Sequence, residues 1–490
     1  MALCDESRAM KVCNFDSPAR LGLCVMLVIG CSRPDADHRA ALVCTSLAVD
    51  NQAWLARDPA TVSMKLTKMQ RGWYEWLRGT AVLFWADATG PTPWNLPTDF
   101  GDFASSNVRV IGDPHVENFG SFRASDGTMF VDWNDLDANG YAPYWIDARR
   151  LALAIVAAAT APNATLDQSL ITDVSHAVAT GYVEHMTALA SGATPLVVRM
   201  GIDPLFDKLL EKAQRDGDAL RRLTEVAPVV NGQRRMGFGP QEPAADDGVV
   251  EDELTGMGAP AEAAMPAIIE AWRLTTVPPL TPEATTIKGM RRRLGAGVGS
   301  YPALRYYVLL EGSTAALDDD LLAEIKESRD GIFVAQPTTF TPLPWHSNGE
   351  RVATGQRQAH GYPNGDPLLG WAQLGPQSYR VVSRSGYQRG LSASDLAALL
   401  DKGATGRAQI IRVANVMGQL LARAHGQAPT AAGVRGHTVI APLLMGHAAD
   451  FGDELAAFVA AYAPRARQDF FDASSSDLTE CVMSAKGPLP

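Results

Sequence analysis

Large apolar residues recur every three or four positions in several stretches of the chain. From Lys65 to Ala86 this spacing predicts a first core helix with one buried face. Two more helices are predicted over 148–162 and 166–189, where the periodicity ends at a proline and before a glycine. The stretch 391–424 is largely helical again. The pattern therefore predicts mainly helical structure in the first and last parts of the chain.

Alternation of apolar and polar residues, which is typical of strands, occurs between these helical parts. It predicts two short strands at 107–111 and 128–133, on either side of a polar turn at 112–120. A β-rich segment begins near Thr285, and a further strand is predicted at 379–383. The order along the chain is α, then β, then α, which predicts an α+β fold.

Two stretches lack a periodic pattern. Residues 32–60 show no sustained periodicity and are predicted to form a linker. Residues 230–256 are rich in Gly, Pro, Asp and Glu, so they bury too little apolar surface to order by themselves and are predicted to form a mobile insert. The rest divides into a helical segment at 61–280, a small β-rich segment at 281–390 and C-terminal helices at 391–490.

Length and charge limit the classes of function. A chain of 490 residues is longer than one ordinary hydrophobic core supports, which predicts two lobes. The formal net charge of −11 argues against a nucleic-acid partner, because proteins that bind the phosphate backbone concentrate Lys and Arg on one face. One basic run, Arg291 to Arg293, is either solvated or positioned over a small phosphate.

An apolar run from Leu21 to Gly30 lies near the amino terminus, after Lys11 and Arg20 and directly before Cys31. This pattern resembles a bacterial lipoprotein signal over residues 1–31, since the run is too short to span a membrane but suits the apolar region of a signal. Cys31 is then the lipidated residue that anchors the chain to a membrane. The alternative is a buried strand or helix of a cytoplasmic protein.

The cysteines form no recognisable metal-binding or disulfide framework. Only Cys44 and Cys481 follow the apolar run. A bridge between these two residues is expected if the chain is exported, and two buried or free thiols are the alternative.

The densest polar cluster is the turn 112–120 together with the acidic residues after the second predicted strand. Phosphoryl transfer needs a carboxylate near the acceptor hydroxyl, and oxygen ligands that hold magnesium against the nucleotide phosphates. Asp113 precedes Asn118 by five positions and Asp132 follows on the next strand, as the base and the metal ligands do in kinases. The alternative is that Asp113 and Asn118 cap a turn.

Three further polar residues of this cluster have two interpretations each. His115 either contacts a phosphate or forms a local hydrogen bond within the loop. Asp135 and Asp137 either add metal ligands or cap the structure that follows the strand.

The motifs GDPHVENFG (112–120) and VDWNDLD (131–137) are similar to the catalytic and metal motifs of aminoglycoside phosphotransferase-like and choline kinase-like enzymes. This resemblance implies that Asp113 is the catalytic base, with His115 in the same loop, and that Asn118 and Asp132 bind magnesium. It also implies that Asp147, near the start of the next helix, steadies the loop.

A wider resemblance runs from about Lys65 to Phe471. The segments KMQRGWYEWLRG, RYYVLLEG, EIKES, GQR and LARAHG, together with the two motifs above, resemble the bacterial family catalogued as domain of unknown function 2252. Members of that family look like protein kinases in which the strands of the small lobe follow the catalytic loop. The resemblance therefore implies a circularly permuted, protein-kinase-like two-lobe fold, with a mainly helical large lobe and a small β-rich lobe.

The same resemblance assigns nucleotide binding to the small lobe. Gly295, Gly297 and Gly299 belong to the glycine-rich loop over the phosphates, Lys326 contacts the phosphates, and Glu350 pairs with Lys326. The implied ligands are ATP or another nucleotide, magnesium and an unknown acceptor.

The sequence departs from the aminoglycoside phosphotransferase pattern at two places. Ile111 replaces the His that those enzymes usually carry before Gly-Asp, and the glycine loop ends in a segment from Ser300 to Pro302 that is not small and flexible. The expected function is transfer of a phosphoryl group to a hydroxyl. The alternatives are a catalytically inactive nucleotide-binding pseudokinase or scaffold, and a nucleotidyl transferase on the same fold.

Overall fold

The computed structural model describes residues 36–103, 105–216, 219–312, 314, 316–331, 345–362, 365–430 and 432–485. Its α-helices are α1 (Ala36–Arg57), α2 (Pro59–Met69), α3 (Trp73–Gly79), α4 (Ala81–Thr89), α5 (Tyr144–Ala159), α6 (Gln168–Ala190), α7 (Pro204–Asp216), α8 (Ala219–Val226), α9 (Ala259–Arg273), α10 (Asn348–Ala359), α11 (Ala393–Leu400), α12 (Ala404–Gln427), α13 (Gly436–Leu444), α14 (Ala448–Ser474) and α15 (Leu478–Ser484).

Its strands are β1 (Asn107–Val110), β2 (Phe119–Arg123), β3 (Met129–Trp133), β4 (Gly140–Pro143), β5 (Val229–Val230), β6 (Gln233–Arg234), β7 (Gly239–Pro240), β8 (Glu253–Thr255), β9 (Ile287–Leu294), β10 (Arg305–Leu310), β11 (Leu321–Glu327), β12 (Gly370–Leu374) and β13 (Gln377–Ser383). Short 3-10 helices occupy Val116–Asn118 and Glu283–Thr285. The mixed α+β composition that the sequence predicts is confirmed.

The helical part of the chain surrounds α5. Every residue of α5 is buried, so this helix has no solvent-facing side and forms the centre of the core. α6 packs against α12 and α14, which brings the last third of the chain onto the first half. Because α5 begins directly after β4, its first turn lies beside the polar loops described below.

The largest sheet has seven strands in the order β12-β13-β11-β10-β9-β8-β7, and each neighbouring pair is antiparallel. α9 covers one face, where Trp272 packs with Val308 and Ile325. On the other face Tyr307 and Leu309 pack with a small cluster that includes residues of α8. The β-rich segment predicted after Thr285 is therefore present, and it supplies most of this sheet.

The first predicted helix is broken into three. The apolar residues predicted to face the core between Lys65 and Ala86 are all buried, but α2 ends at Met69 and α3 begins at Trp73. Gly72 adopts an extended conformation just before α3 and interrupts the helical path. The prediction of a buried face was correct, and the prediction of one continuous helix was wrong.

Residues 32–60 are not simply a linker, since α1 fills most of this range. Leu47 and Trp54 of α1 are buried in the main core. A disulfide joins Cys44 of α1 to Cys481 of α15, which settles the two alternatives left open by the sequence in favour of a bridge. The apolar pattern of α1 is too weak to predict a helix from the sequence. The residues that α1 buries pack against segments that are distant in sequence.

The predicted mobile insert, 230–256, is structured. β7 and β8 lengthen the large sheet by pairing onto β9. Glu251 is held by Lys68 at 2.6 Å and by Arg71 at 2.5 Å, and Tyr301 donates a hydrogen bond to the carbonyl of Val250 at 2.9 Å. The segment has little apolar surface of its own, and strand pairing and ion pairs supplied by other segments stabilise it instead.

The predicted lipoprotein signal, including Cys31, lies outside the described residues. In the part of the chain that the structure describes, no helix has both the length and the apolar character that crossing a bilayer requires.

Candidate functional site

A cavity of about 420 Å³ lies where the helical part meets the large sheet. Six chain segments line it: one side of α1, the end of α3 with the start of α4, the loop after β1, the loop after β3, the glycine loop between β9 and β10, and the loop after β11. Its polar lining residues are Asp50, Gln52, Arg78, Asp113, His115, Asn118, Asp135, Asp137, Ser300, Arg329 and Asp330. The turn that the sequence singles out therefore opens into this cavity.

Asp113 is oriented by a buried arginine. Both Nε and Nη2 of Arg150 donate to Oδ1 of Asp113, at 3.0 and 2.8 Å, so the pair leaves Oδ2 free of Arg150. Burial raises the pKa of Asp113 above its ordinary value, and the positive charge of Arg150 offsets only part of that increase. Arg150 is itself fully buried on α5, so the position of the carboxylate is fixed by the core.

Asn118 ends the short 3-10 helix after Asp113, and His115 directly precedes that helix. The side-chain amide of Asn118 donates to the backbone carbonyl of Asp113 at 2.8 Å, which fixes the distance between the two functional groups. Nδ1 of His115 lies 3.4 Å from the hydroxyl of Tyr74. Burial, followed by the charges of Arg78 and Arg150, lowers the pKa of His115 well below its usual value, so the imidazole is neutral near pH 7.

Asp147 binds the backbone of the loop that carries Asp113. Its carboxylate accepts hydrogen bonds from the backbone N–H groups of Ile111 at 2.6 Å and Gly112 at 3.1 Å, and it lies 3.1 Å from Nε2 of His425. Asp147 is fully buried and does not line the cavity. The expectation that Asp147 steadies the loop is confirmed.

Gly112 allows two loops of the site to approach each other closely. It has a φ of +90°, and a Cβ at this position would lie 2.2 Å from the backbone carbonyl oxygen of Ala138. Only glycine combines that backbone conformation with so close a neighbour. The contact brings the loop that carries Asp113 against the loop that carries Asp137.

Asp135 and Asp137 share one cation. Nζ of Lys326 lies 3.2 Å from Asp135 and also pairs with Asp137. Lys326 is buried on β11, and the two carboxylates lie in the loop after β3, so this contact joins the sheet to the helical part. Burial alone would raise the pKa of Asp135, but the charges of Lys326, Arg380 and Arg305 together lower it, which keeps the carboxylate ionised.

Asp132 does not reach the cavity, contrary to its predicted role as a metal ligand. It is fully buried, pairs with the equally buried Arg423 and accepts a hydrogen bond from the N–H of Gly361 at 3.0 Å. Side chains alternate along a strand, so Asp132 shares the face of β3 that carries Phe130, and Phe130 packs against Tyr362. The acidic residues that do line the cavity come three and five positions later.

The glycine loop contributes two of its three predicted residues. Gly297 and Gly299 line the cavity, and Gly295 does not. Gly295 has a φ of +89°, and a Cβ at this position would lie 2.4 Å from the backbone of Glu251. The carbonyl of Gly295 accepts a hydrogen bond from Lys68 at 3.2 Å. Gly295 therefore packs the base of the loop against the 230–256 segment.

Glu350 does not pair with Lys326. Its carboxylate accepts a hydrogen bond from the backbone N–H of His346 at 2.8 Å, in the first turn of α10. Lys326 is occupied by the two carboxylates after β3 instead. The sequence offered no means of choosing between these partners, because the choice depends on how α10 is oriented against the sheet.

Sequence reasoning missed several residues that shape the site. Arg150 orients Asp113, and Arg78 pairs with Glu117 at the edge of the cavity, with 2.7 Å between Nη1 and Oε2. Both arginines lie on helices whose apolar pattern dominates the sequence. A buried arginine in an otherwise apolar helix is the feature that could have drawn attention to Arg150.

The oxygen donors of the site suit a hard divalent cation. Oδ1 of Asp137 is buried and has no hydrogen-bond partner among the described residues, and Lys326 already provides a positive charge between Asp137 and Asp135. The described residues contain no group of three or more His, Cys, Asp or Glu side chains that could hold a metal ion. Mg²⁺ needs no such group, since it is commonly bound by one or two carboxylates together with substrate phosphates.

The fold and the site define a mixed α+β protein with a polar, carboxylate-rich cavity at the junction of a helical core and an antiparallel sheet. The chain belongs to the family described as an uncharacterized protein conserved in bacteria (DUF2252), which matches residues 57–473. No curated protein and no solved structure matches the chain. The family resemblance inferred from the sequence motifs is thereby confirmed, and most of α1 lies upstream of the matched residues.

Proposed function

We propose that this protein is a metal-dependent phosphotransferase that moves a phosphoryl group from a nucleotide, such as ATP, to a hydroxyl acceptor. One observation carries the proposal: Asp113, Asn118, Asp135, Asp137 and the glycine loop all line one cavity. These are the parts that phosphoryl transfer requires, namely a carboxylate for the acceptor, oxygen ligands for a cation and backbone groups for phosphates.

Asp113 orients the acceptor hydroxyl and receives its proton. Arg150 engages Oδ1 of the carboxylate, and the hydroxyl of the acceptor would donate to Oδ2. Asn118, tied to the carbonyl of Asp113, keeps its amide at a fixed separation from this base. Because Arg150 and Asp147 fix both the side chain and the backbone of the loop, little reorganisation is needed when the acceptor binds.

The magnesium ion would be held by Asn118, Asp135 and Asp137. This set differs from the ligands predicted from the sequence, which were Asn118 and Asp132. Bound magnesium neutralises phosphate charge during transfer. Lys326 pairs with both carboxylates from the side of the sheet and would keep them ionised for the cation. The short β2–β3 hairpin and the contact at Gly112 fix the distances between the side-chain oxygens that would bind the metal.

A protein-kinase-like, circularly permuted arrangement accounts for the order of these parts. The loop with Asp113 comes first in the sequence, and the strands β9–β11 with their glycine loop follow much later in the chain. The helical part then corresponds to a large lobe and the seven-stranded sheet to a small lobe. The antiparallel β9–β10 pair, connected by a glycine-containing loop that lines the cavity, supports this interpretation.

The full chain carrying Asp113→Asn tests the assignment of the base. ATP consumption with water or a screened hydroxyl compound as acceptor should fall at least about 100-fold, because a positioned base typically contributes that much. Asp401→Asn, at an exposed position beyond the end of α11, is the matched control and should keep wild-type turnover. Equal turnover in the wild type and in Asp113→Asn would show the base assignment to be wrong.

Product analysis separates the alternative functions. Nucleotide binding without any product would favour an inactive pseudokinase or scaffold. A nucleoside monophosphate attached to the acceptor, measured by its mass, would favour a nucleotidyl transferase. A single phosphoryl group added to the acceptor is the outcome that this proposal predicts.

We also propose that the chain is exported and anchored through Cys31. The apolar run before Cys31 suits an export signal, and the disulfide between Cys44 and Cys481 suits an oxidising compartment. ATP is scarce there, so this proposal implies a different donor or a supply of nucleotide. Cell fractionation with a Cys31→Ser control provides the test, and a cytoplasmic, unlipidated wild-type chain would refute export.

A further inference from the structure

More negatively than positively charged side chains line the cavity, although the phosphates that it is proposed to bind are themselves negative. Five aspartates line it, whereas Arg78 and Arg329 are the only arginine or lysine side chains that line it among the described residues. Arg329 lies at the α1 side, where it pairs with Asp50 at 2.8 Å and is about a third exposed. Arg78 lies deeper, with a side chain that is only 16% exposed. A phosphate near Asp113 would therefore depend on Arg78.

Glu117 pairs with Nη1 of Arg78 and leaves Nε of the same guanidinium without a partner among the described residues. Nη1 of Arg78 lies 2.7 Å from Oε2 of Glu117, and the guanidinium lies over the ring of Tyr74, 5.8 Å from its centroid. Nε of Arg78 is buried and has no hydrogen-bond partner among the described residues. An unpaired buried N–H is costly, so a phosphate oxygen that accepts from Arg78 would be bound favourably.

The glycine loop approaches the same residue. A Cβ at Gly299 would lie 3.2 Å from the backbone carbonyl oxygen of Arg78, which is a tight contact. The loop over the proposed phosphates thus rests on the end of α3. This contact is independent of the ion pair with Glu117, and it puts Arg78 between the glycine loop and the loop that carries Asp113.

We propose that Arg78 is a catalytic residue that binds the phosphoryl group being transferred. The proposal rests on the phosphotransferase function proposed above. During the reaction the acceptor oxygen forms a bond to the terminal phosphorus, and the bond between that phosphorus and the bridging oxygen of the donor breaks. The acceptor proton passes to Asp113, and the nucleoside diphosphate leaves with the bonding electrons. Arg78 donates to the non-bridging oxygens of the transferred group, whose charge it stabilises.

Calorimetric titration of the full chain with MgATP and with MgADP tests this assignment. Arg78→Gln should weaken MgATP binding by about 10- to 100-fold, the range expected for a lost charge-assisted hydrogen bond, and leave MgADP binding unchanged. Arg78→Lys should recover part of the difference, since it keeps the charge but not the fork of donors. Arg412→Gln, which removes a 56% exposed arginine on α12 that pairs with Asp203 and does not line the cavity, is the control and should bind both nucleotides normally.

Three outcomes separate the proposals. Selective loss of MgATP affinity in Arg78→Gln supports the contact with the transferred phosphoryl group. Equal affinities in the wild type and Arg78→Gln, or an equal loss for both nucleotides, would overturn the assignment of Arg78 and leave the phosphotransferase proposal standing. A wild-type chain that binds neither nucleotide would overturn the phosphotransferase proposal itself, together with this role of Arg78.

Discussion

Replacing Asp132 by Asn tests whether this carboxylate stabilises the fold instead of binding a metal. Asp132 and Arg423 are both fully buried, so the substitution leaves a buried guanidinium without its counter-charge. Loss of one partner of a buried ion pair costs about 3–5 kcal/mol. Asn keeps one oxygen that can accept from the N–H of Gly361, and Arg423 keeps hydrogen bonds to the carbonyls of Leu196 and Ala359. We therefore expect a loss near the lower limit, about 3 kcal/mol.

Asp137→Asn is the matched comparison, because it removes the same charge from the same segment. The Asp137 side chain is 23% exposed, and Lys326 retains Asp135 as a partner. The expected loss in the free energy of unfolding is about 1 kcal/mol or less.

Urea unfolding of the two full-length variants, followed by far-UV circular dichroism at pH 7, measures both values. The prediction is a clear loss of stability for Asp132→Asn and a small change for Asp137→Asn. A structural role of Asp132 would be disproved if Asp132→Asn unfolded at the wild-type urea concentration while Asp137→Asn unfolded at a much lower one. That result would mean that Asp132 does not depend on Arg423 in solution.

Three further predictions concern stability. Cys44→Ser should lower the free energy of unfolding by about 2–4 kcal/mol, and a reductant should lower that of the wild type but not of the variant. Burial lowers the pKa of His185 to about 4, so the unfolded chain takes up a proton before the folded chain does, and the fold loses stability as the pH falls from about 6.5 to about 4. His185→Gln should reduce this loss in the free energy of unfolding by about 1–2 kcal/mol, and an unchanged pH dependence would count against a buried neutral His185. Gly112→Ala should cost more than Gly232→Ala in the same unfolding assay, because both have positive φ but only Gly112 faces a carbonyl oxygen, and equal costs would contradict that contact.

The parts of the site that are local in sequence could be predicted from it. Asp113 and Asn118 are five residues apart in one loop, so their spacing alone fixes their proximity, and both line the cavity. Asp147 follows in the first turn of the next helix and binds the backbone of that loop. In each case a short segment with clear periodicity on both sides determines the geometry.

The parts that depend on distant partners could not be predicted. The side chain of Asp132 turns away from the cavity because Arg423, 291 residues later, is buried on that side of β3. Lys326 binds the carboxylates after β3 and not Glu350, since the sheet and the helical part meet at that edge. A strand pattern gives the alternation of faces, but it does not say which face meets the cavity.

The 230–256 segment and α1 also depend on partners that are distant in sequence. The 230–256 segment has the composition of a mobile loop, and β9, Lys68 and Arg71 supply the pairing that orders it. α1 has weak periodicity, and contacts with distant segments hold it: the disulfide to α15 and the ion pair of Arg57 with Glu327 of the large sheet, whose atoms are 2.8 Å apart. Neither set of contacts leaves a recognisable trace in the local sequence.

Calorimetric titration of MgATP into the full chain and into Asp137→Asn is the most direct test of the proposed site. We predict saturable binding to the wild type that requires magnesium, and loss of that binding in Asp137→Asn although the variant remains folded. Absence of MgATP binding to the wild type, or equally tight magnesium-dependent binding to Asp137→Asn, would contradict this prediction.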